Sequence, residues 1–148
     1  MTLNPTKQKP QKEPFSLCEL VQDVFQKFEL ATETRGQKLQ ADITPGIPLV
    51  NADLGMIERV LTNLLDNAIR HTPDGGTIEI KLWKNQGQVM VQLKDSLFVR
   101  PSILSANKHR TGGLGLMIVR RILQLHGSDI MLIEEPKRGA CFQFSVPV

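Results

Sequence analysis

The sequence predicts an α/β fold in which three helices cover a mixed, largely antiparallel sheet, a two-layer sandwich. Three observations predict it. Apolar residues recur at helical spacing in three segments, around Leu17–Phe28, Ile57–Ile69 and Leu116–Leu125. Shorter segments between and after them alternate in the manner of strands, with Gly- and Pro-containing turns separating them. The length of 148 residues and an apolar fraction of 41% suffice for one core and are too small to suggest two.

In chain order, residues 1–14, with Pro5, Pro10 and Pro14 among Lys and Gln, read as a linker or tail, and residues 15–148 as the domain. Ser16 and Glu19 form a Ser-x-x-Glu capping box flanked by Phe15 and Leu20, so a first helix starts there and ends at Gly36. Residues 39–43 alternate like a strand and run into the turn Pro45-Gly46-Ile47-Pro48. Asp53 is placed to cap the second helix, which should end near Thr72 because Pro73 disfavours helical backbone before it. Asp74-Gly75-Gly76 then turns into strands at 77–84 and 88–94, joined across Asn85-Gln86-Gly87. After a third helix, residues 129–134 and 140–146 are expected to form a closing hairpin around 136–139.

Composition excludes several function classes. The net charge of +3 is accounted for by Lys7, Lys9 and Lys12 in the tail, and with no Tyr and one Trp there is no base-stacking platform, so no nucleic-acid footprint is present. Cys18 and Cys141 lack ligand spacing and read as free thiols of a reducing compartment. No apolar run approaches the roughly 20 residues that span a bilayer, and the start lacks a signal-peptide core.

The chemistry concentrates in two segments. In Asn63-Leu64-Leu65-Asp66-Asn67-Ala68-Ile69-Arg70-His71-Thr72-Pro73, taking Asn63 as origin and about 100° per residue, Asn67 falls at about 40°, Arg70 at about −20° and His71 at about 80°. Val60, Leu64, Ile57, Ala68, Leu61 and Leu65 fill the arc from about 60° to about 200°. The asparagines thus border the buried face, where an unpaired amide costs roughly 1–3 kcal/mol. Two partners fit: a hydrated magnesium ion on phosphate oxygens, which prefers oxygen ligands, or neighbouring loops that the amides cap. Arg70, one turn on, could meet phosphates as a charged donor. The second segment, Arg110-Thr111-Gly112-Gly113-Leu114-Gly115-Leu116, runs straight into an apolar helix. Glycines admit close approach of an anion and a helix N-terminus offers free N–H groups, although a flexible loop before a core helix is the commoner meaning of such a run. There is no P-loop motif and no early Gly-x-Gly-x-x-Gly after a strand.

Together, NLLDNAIRHTP and TGGLGLMIVRRILQLHG closely resemble the ATP-binding catalytic domain of sensor histidine kinases, in the superfamily that includes DNA gyrase and the Hsp90-type chaperones. The resemblance spans about Phe15 to Val148 and implies a Bergerat-type fold, with ATP and Mg2+ as cofactors. By it, Asn67 would hold magnesium, Arg70 and His71 would meet phosphates or the ribose side, Asp95 would accept from the adenine amino group, and Gly113, Leu114, Gly115 and Leu116 would wrap the phosphate tail. Asn63 stands where hydrolysing relatives carry a glutamate that activates water; an amide cannot act as that base, so hydrolysis is not the expected task. Phosphoryl transfer needs mainly positioning and charge neutralisation, with Asn63, Asn67 and Arg70 as the catalytic set.

The sequence departs from the family pattern after Asp95. The usual Asp-x-Gly-x-Gly is here Asp95-Ser96-Leu97-Phe98-Val99. Where a position requires positive φ, Leu97 or Val99 would cost on the order of 1–3 kcal/mol. The lid before Gly113 is short, with Phe98 as its one phenylalanine, and Ala140 and Cys141 stand where many members carry hydroxyls. None of His71, His109 and His126 lies in an acceptor-like helix, so the phosphoacceptor and dimerisation helices belong elsewhere, and the chain reads as the catalytic piece of a longer cytoplasmic or membrane-bound sensor kinase, with Met1 the start of that piece. Its partners would be that dimerisation/phosphoacceptor domain and, indirectly, a response regulator. The alternatives are a degenerate pseudokinase-like interaction module with little nucleotide affinity and an anti-sigma-factor-type serine kinase.

Overall fold

The computed structural model describes residues 9–95, 113–135 and 139–148. Ser16 starts helix α1 (Leu17–Thr34): its side chain accepts from the Glu19 N–H at 3.2 Å, as the capping pattern requires. The helix ends through Gly36 at φ 66°, a conformation that suits glycine, with the Gln37 N–H donating back to the Thr32 carbonyl at 2.9 Å. Strands β2 (Lys38–Ile43), β4 (Thr77–Asn85), β5 (Gln88–Asp95), β6 (Met131–Glu135) and β7 (Gly139–Pro147) form one sheet in the order β2-β4-β5-β7-β6. The β2–β4 pair is parallel and the other pairs antiparallel, so the sheet is mixed and largely antiparallel, as expected. Helices α2 (Leu54–His71) and α3 (Gly113–Leu125) complete the layer of three with α1.

Alternation sets which sheet face is dry. In β5, Val89, Val91 and Leu93 are buried while Met90 and Gln92 are partly open, and β4 follows with Ile78, Ile80 and Leu82. These residues join Leu64, Leu65, Val60 and Ile57 of α2, Val21 and Val24 of α1, and Val119 and Leu123 of α3 in one core. Period two carries the pattern on to Asp95, which is buried at the end of β5.

A second, two-stranded ribbon was not anticipated. Strand β1 (Glu13–Phe15) pairs antiparallel with β3 (Val50–Ala52), so Glu13 and Pro14, expected in the tail, belong to the folded structure. The Gln11 N–H also donates to Asp53 Oδ2 at 2.8 Å, while Asp53 Oδ1 caps α2 through the Met56 N–H at 3.0 Å. The turn expected around 136–139 falls at residues 136–138 outside the described residues.

His126 ties α3 to the start of α2. The Asp53 N–H donates to its Nε2 at 3.1 Å, and its Nδ1 lies 2.8 Å from the Ile122 carbonyl, so the ring is the Nδ1–H tautomer. With that end of α3 fixed beside Asp53, the glycine-bearing end stands about 20 Å away along the helix axis, at 1.5 Å per residue. His126 is buried, so replacing it with Phe keeps the bulk and removes both bonds. The unfolding free energy in urea is expected to fall by about 1–3 kcal/mol with an unchanged slope; an unchanged midpoint would refute this link.

Candidate nucleotide site

The site is built on α2, whose last turns carry the polar stripe. Asn63, Asn67 and His71 are half-buried and Arg70 is exposed, consistent with positions bordering the core face. The Oδ1 atom of Asn67 is itself buried and has no hydrogen-bond partner among the described residues. Among the described residues, then, no loop group is capped by this oxygen. His71 Nδ1 lies 2.8 Å from the Asn67 carbonyl and donates to it, which leaves Nε2 as the ring atom available to a ligand. Arg70 reaches Asp66 at 3.5 Å, one turn back; both are half-exposed, so the pair contributes little and the guanidinium is easily redirected.

The end of α2 is held by residues that the sequence reading did not single out. Pro73 drives Thr72 into an extended conformation (φ −84°, ψ 129°), which leaves carbonyls of the last turn without helical partners. Arg35 Nη2 donates to the Thr72 carbonyl at 2.9 Å and Nη1 to the Ile69 carbonyl, while Nε meets Asp74 at 2.9 Å. Gln37 Nε2 donates to the same two carbonyls, at 3.0 Å to Ile69 and 2.8 Å to Thr72. Both residues come from the α1–β2 junction, 32 to 37 positions earlier in sequence. The Thr72 side chain, fully buried, donates to Oδ2 of Asp95, so α2 and the end of β5 meet through a hydroxyl and a carboxylate.

At the other wall, α3 begins at Gly113, and a Cβ built on Gly115 would meet nothing within 4 Å among the described residues. Among the described residues, no atom therefore crowds the backbone at Gly115. Gly113 and Leu114 lie in the helix; their side chains, like residues 96–112 with Leu97, Phe98 and Val99, fall outside what the structure describes. Cys141 is buried on β7, and Cys18 on α1 has its thiol pKa pushed up by burial, which keeps it protonated and unreactive. No group of three or more His, Cys, Asp or Glu side chains clusters as a metal site among the described residues. Magnesium held through an amide oxygen, phosphates and water needs no such cluster.

Residues 52–148 match the family model described as "Histidine kinase-, DNA gyrase B-, and HSP90-like ATPase". The chain belongs to this family. Among curated relatives, the adaptive-response sensory kinase SasA of Synechococcus sp. (strain CC9311) is 36% identical over 128 residues, covering 77% of this chain and 33% of the relative. The alginate biosynthesis sensor protein KinB of Pseudomonas aeruginosa is 31% identical over 142 residues, covering 89% of this chain and 24% of the relative. The chain therefore spans about a quarter to two-fifths of the length of the curated relatives it matches. Among solved structures, the catalytic domain of histidine kinase ThkA superposes with a TM-score of 0.81 at 30% identity, covering 93% of this chain and 95% of that one. ThkA in complex with the response regulator TrrA matches at a TM-score of 0.79 and 27% identity, covering 93% of this chain and 42% of that one. This histidine-kinase-type ATPase domain therefore has the Bergerat fold, with three helices on a mixed sheet. No helix among its described residues is long and apolar enough to cross a membrane.

Proposed function

We propose that this domain binds Mg-ATP between α2 and the start of α3 and transfers the γ-phosphate to a histidine on a separate dimerisation/phosphoacceptor domain in two-component signalling, on the cytoplasmic side. The buried Oδ1 of Asn67, without a partner among the described residues, carries this reading, since a desolvated amide oxygen bordering a core is costly unless a ligand completes it. Bound magnesium would neutralise charge building on the transferred phosphoryl group. Asn67 supplies the oxygen suited to it, and Arg70 swings from Asp66 to a phosphate as a charged donor. His71, with its Nδ1–H committed to the Asn67 carbonyl, offers Nε2 as an acceptor to a ribose hydroxyl. The backbone N–H groups of Gly113, Leu114, Gly115 and Leu116 form the first turn of α3 and favour anions there. Asp95 accepts from the adenine amino group. Asn63 cannot take a proton from water, so the phosphoryl group is kept for transfer. The response regulator would receive it downstream, a partner supported by the ThkA–TrrA complex.

Titration of the chain with ATP, with and without magnesium, tests this function. Micromolar affinity that depends on magnesium is expected. The isolated chain should not label itself, and should label an acceptor-histidine dimerisation domain supplied in trans. Labelling of serine on a partner instead would favour the anti-sigma-factor-type kinase, and self-labelling on His71, His109 or His126 would contradict the proposal. Leu97 and Val99, in place of the family glycines, favour a second reading as a pseudokinase-like interaction module. Absence of measurable ATP binding, recovered in the Leu97→Gly/Val99→Gly double variant, would establish that reading instead.

A further inference from the structure

We propose that Arg35 and Gln37 are positioning residues that hold the His71 imidazole in place for a ribose hydroxyl, so that the α1–β2 junction decides whether the site distinguishes ribose from deoxyribose. The inference rests on reading His71 Nε2 as the ribose contact, and adds to it two residues from another part of the chain that determine whether the contact forms.

His71 is the last residue of α2, the place where a helix ordinarily frays. Its Nδ1–H donates to the Asn67 carbonyl, a bond that forms only while residues 67–71 keep helical backbone. What holds that backbone comes from outside the helix. Arg35 and Gln37 each donate to the carbonyls of Ile69 and Thr72, which bracket Arg70 and His71 on either side. Ile69, Thr72 and Gln37 are buried, so water does not readily take the place of these donors. The duplication is informative. Arg35 alone reaches both carbonyls, yet Gln37 reaches the same pair while its Oε1 lies buried with no partner among the described residues. A buried acceptor in that condition is costly, and capping that Arg35 already provides does not account for the cost. One donor fixes a carbonyl in distance; two from different side chains also fix its direction, and with it the peptide planes that carry His71. Asn67 stands a full turn further in, where the helix itself holds the backbone. The clamp therefore governs the ribose contact and leaves the magnesium contact alone.

Calorimetry on the full chain with ADP, 2′-deoxy-ADP and 3′-deoxy-ADP, with and without magnesium, tests this beside the melting temperature of each ligand-free variant. Wild type should bind ADP roughly tenfold more tightly than the analogue lacking the contacted hydroxyl, the worth of one hydrogen bond. Gln37→Leu removes one donor of each pair; it should bring that ratio to within about threefold and keep the gain from magnesium within about twofold of wild type. Arg35→Ala should lower the ratio in the same way, and His71→Phe should abolish it. A purely structural role would lower the melting temperature and weaken all three nucleotides alike, or erode the magnesium gain as much as the ribose ratio, and either result overturns the proposal. If His71→Phe abolishes the ratio while Gln37→Leu and Arg35→Ala leave it intact, the clamp is wrongly assigned and the reading of His71 stands. If wild type binds all three nucleotides equally, or His71→Phe keeps the ratio, the reading of His71 fails and the proposal with it. Should Gln37→Leu not melt cooperatively, Gln37→Met, unbranched and without a donor, must give the same collapse of the ratio.

Discussion

Asn67→Ala is expected to abolish the magnesium dependence of ATP binding while leaving the melting temperature of the ligand-free domain unchanged or higher. The expectation comes from where the cost of Asn67 falls. Its Oδ1 is buried without a partner among the described residues, a desolvation cost of roughly 1–3 kcal/mol that the native domain carries. Alanine removes that atom, and in the interior of α2 it is also the better helix former by up to about 0.7 kcal/mol. Stability and binding should therefore move in opposite directions. Thermal melts of both proteins, and ATP titrations with and without magnesium, measure the two sides. A large drop in melting temperature with binding intact would mean that the amide caps a loop and that the metal lies elsewhere.

Removing the clamp on the end of α2 should give the largest loss of stability. Arg35→Ala deletes charge-assisted bonds to two helix-end carbonyls, each type worth about 1.5–3 kcal/mol. Because Gln37 still serves both carbonyls, a loss of about 2–3 kcal/mol is expected. That corresponds to roughly 4–12 °C in melting temperature for a domain of this size. Little of it comes from Asp74, which is 76% exposed, so Asp74→Ala should change stability by less than about 0.5 kcal/mol. Gln37→Leu should cost less than Arg35→Ala, since Gln37 Oε1 is itself buried without a partner among the described residues and leaves with the substitution. The double variant orphans both carbonyls and should exceed the sum of the singles by at least about 0.5 kcal/mol. Strict additivity in a denaturation series would show that the two residues do not share the load.

The architecture was legible where a residue type carries its own conformational signal. Ser16 and Asp53 cap the helices they were expected to cap, Gly36 takes positive φ, and Pro73 ends α2. The strands at 77–84 and 88–94 each extend by one residue, since pairing with a neighbour carries the ladder past the last alternating side chain. Strands β1 and β3 were not legible: three residues make no period, and Pro14 reads as linker until a partner 37 positions away is known. The Arg35–Gln37 clamp was hidden for a different reason. Its acceptors are main-chain carbonyls, which every residue has, so no side-chain pattern advertises them. The asparagine stripe of the candidate site was visible from spacing alone. The bond between Thr72 and Asp95 was not, because Thr72 reads only as a helix terminus until the sheet brings Asp95 beneath it.

The two ends of α2 are each tied to distant parts of the chain: Asp53 to Gln11 and His126, and the last turn to Arg35 and Gln37. A helix held at one end can fray and swing; one held at both behaves as a rigid ruler. The spacing of Asn63, Asn67 and His71 along it is therefore set before any ligand arrives. Immobilising a flexible side chain on association typically costs about 0.5–1.5 kcal/mol, and along this wall most of that ordering has already taken place during folding. If the domain binds Mg-ATP as proposed, the remaining ordering cost would fall on groups outside α2, so affinity and residence time could be tuned there without altering the geometry that α2 presents.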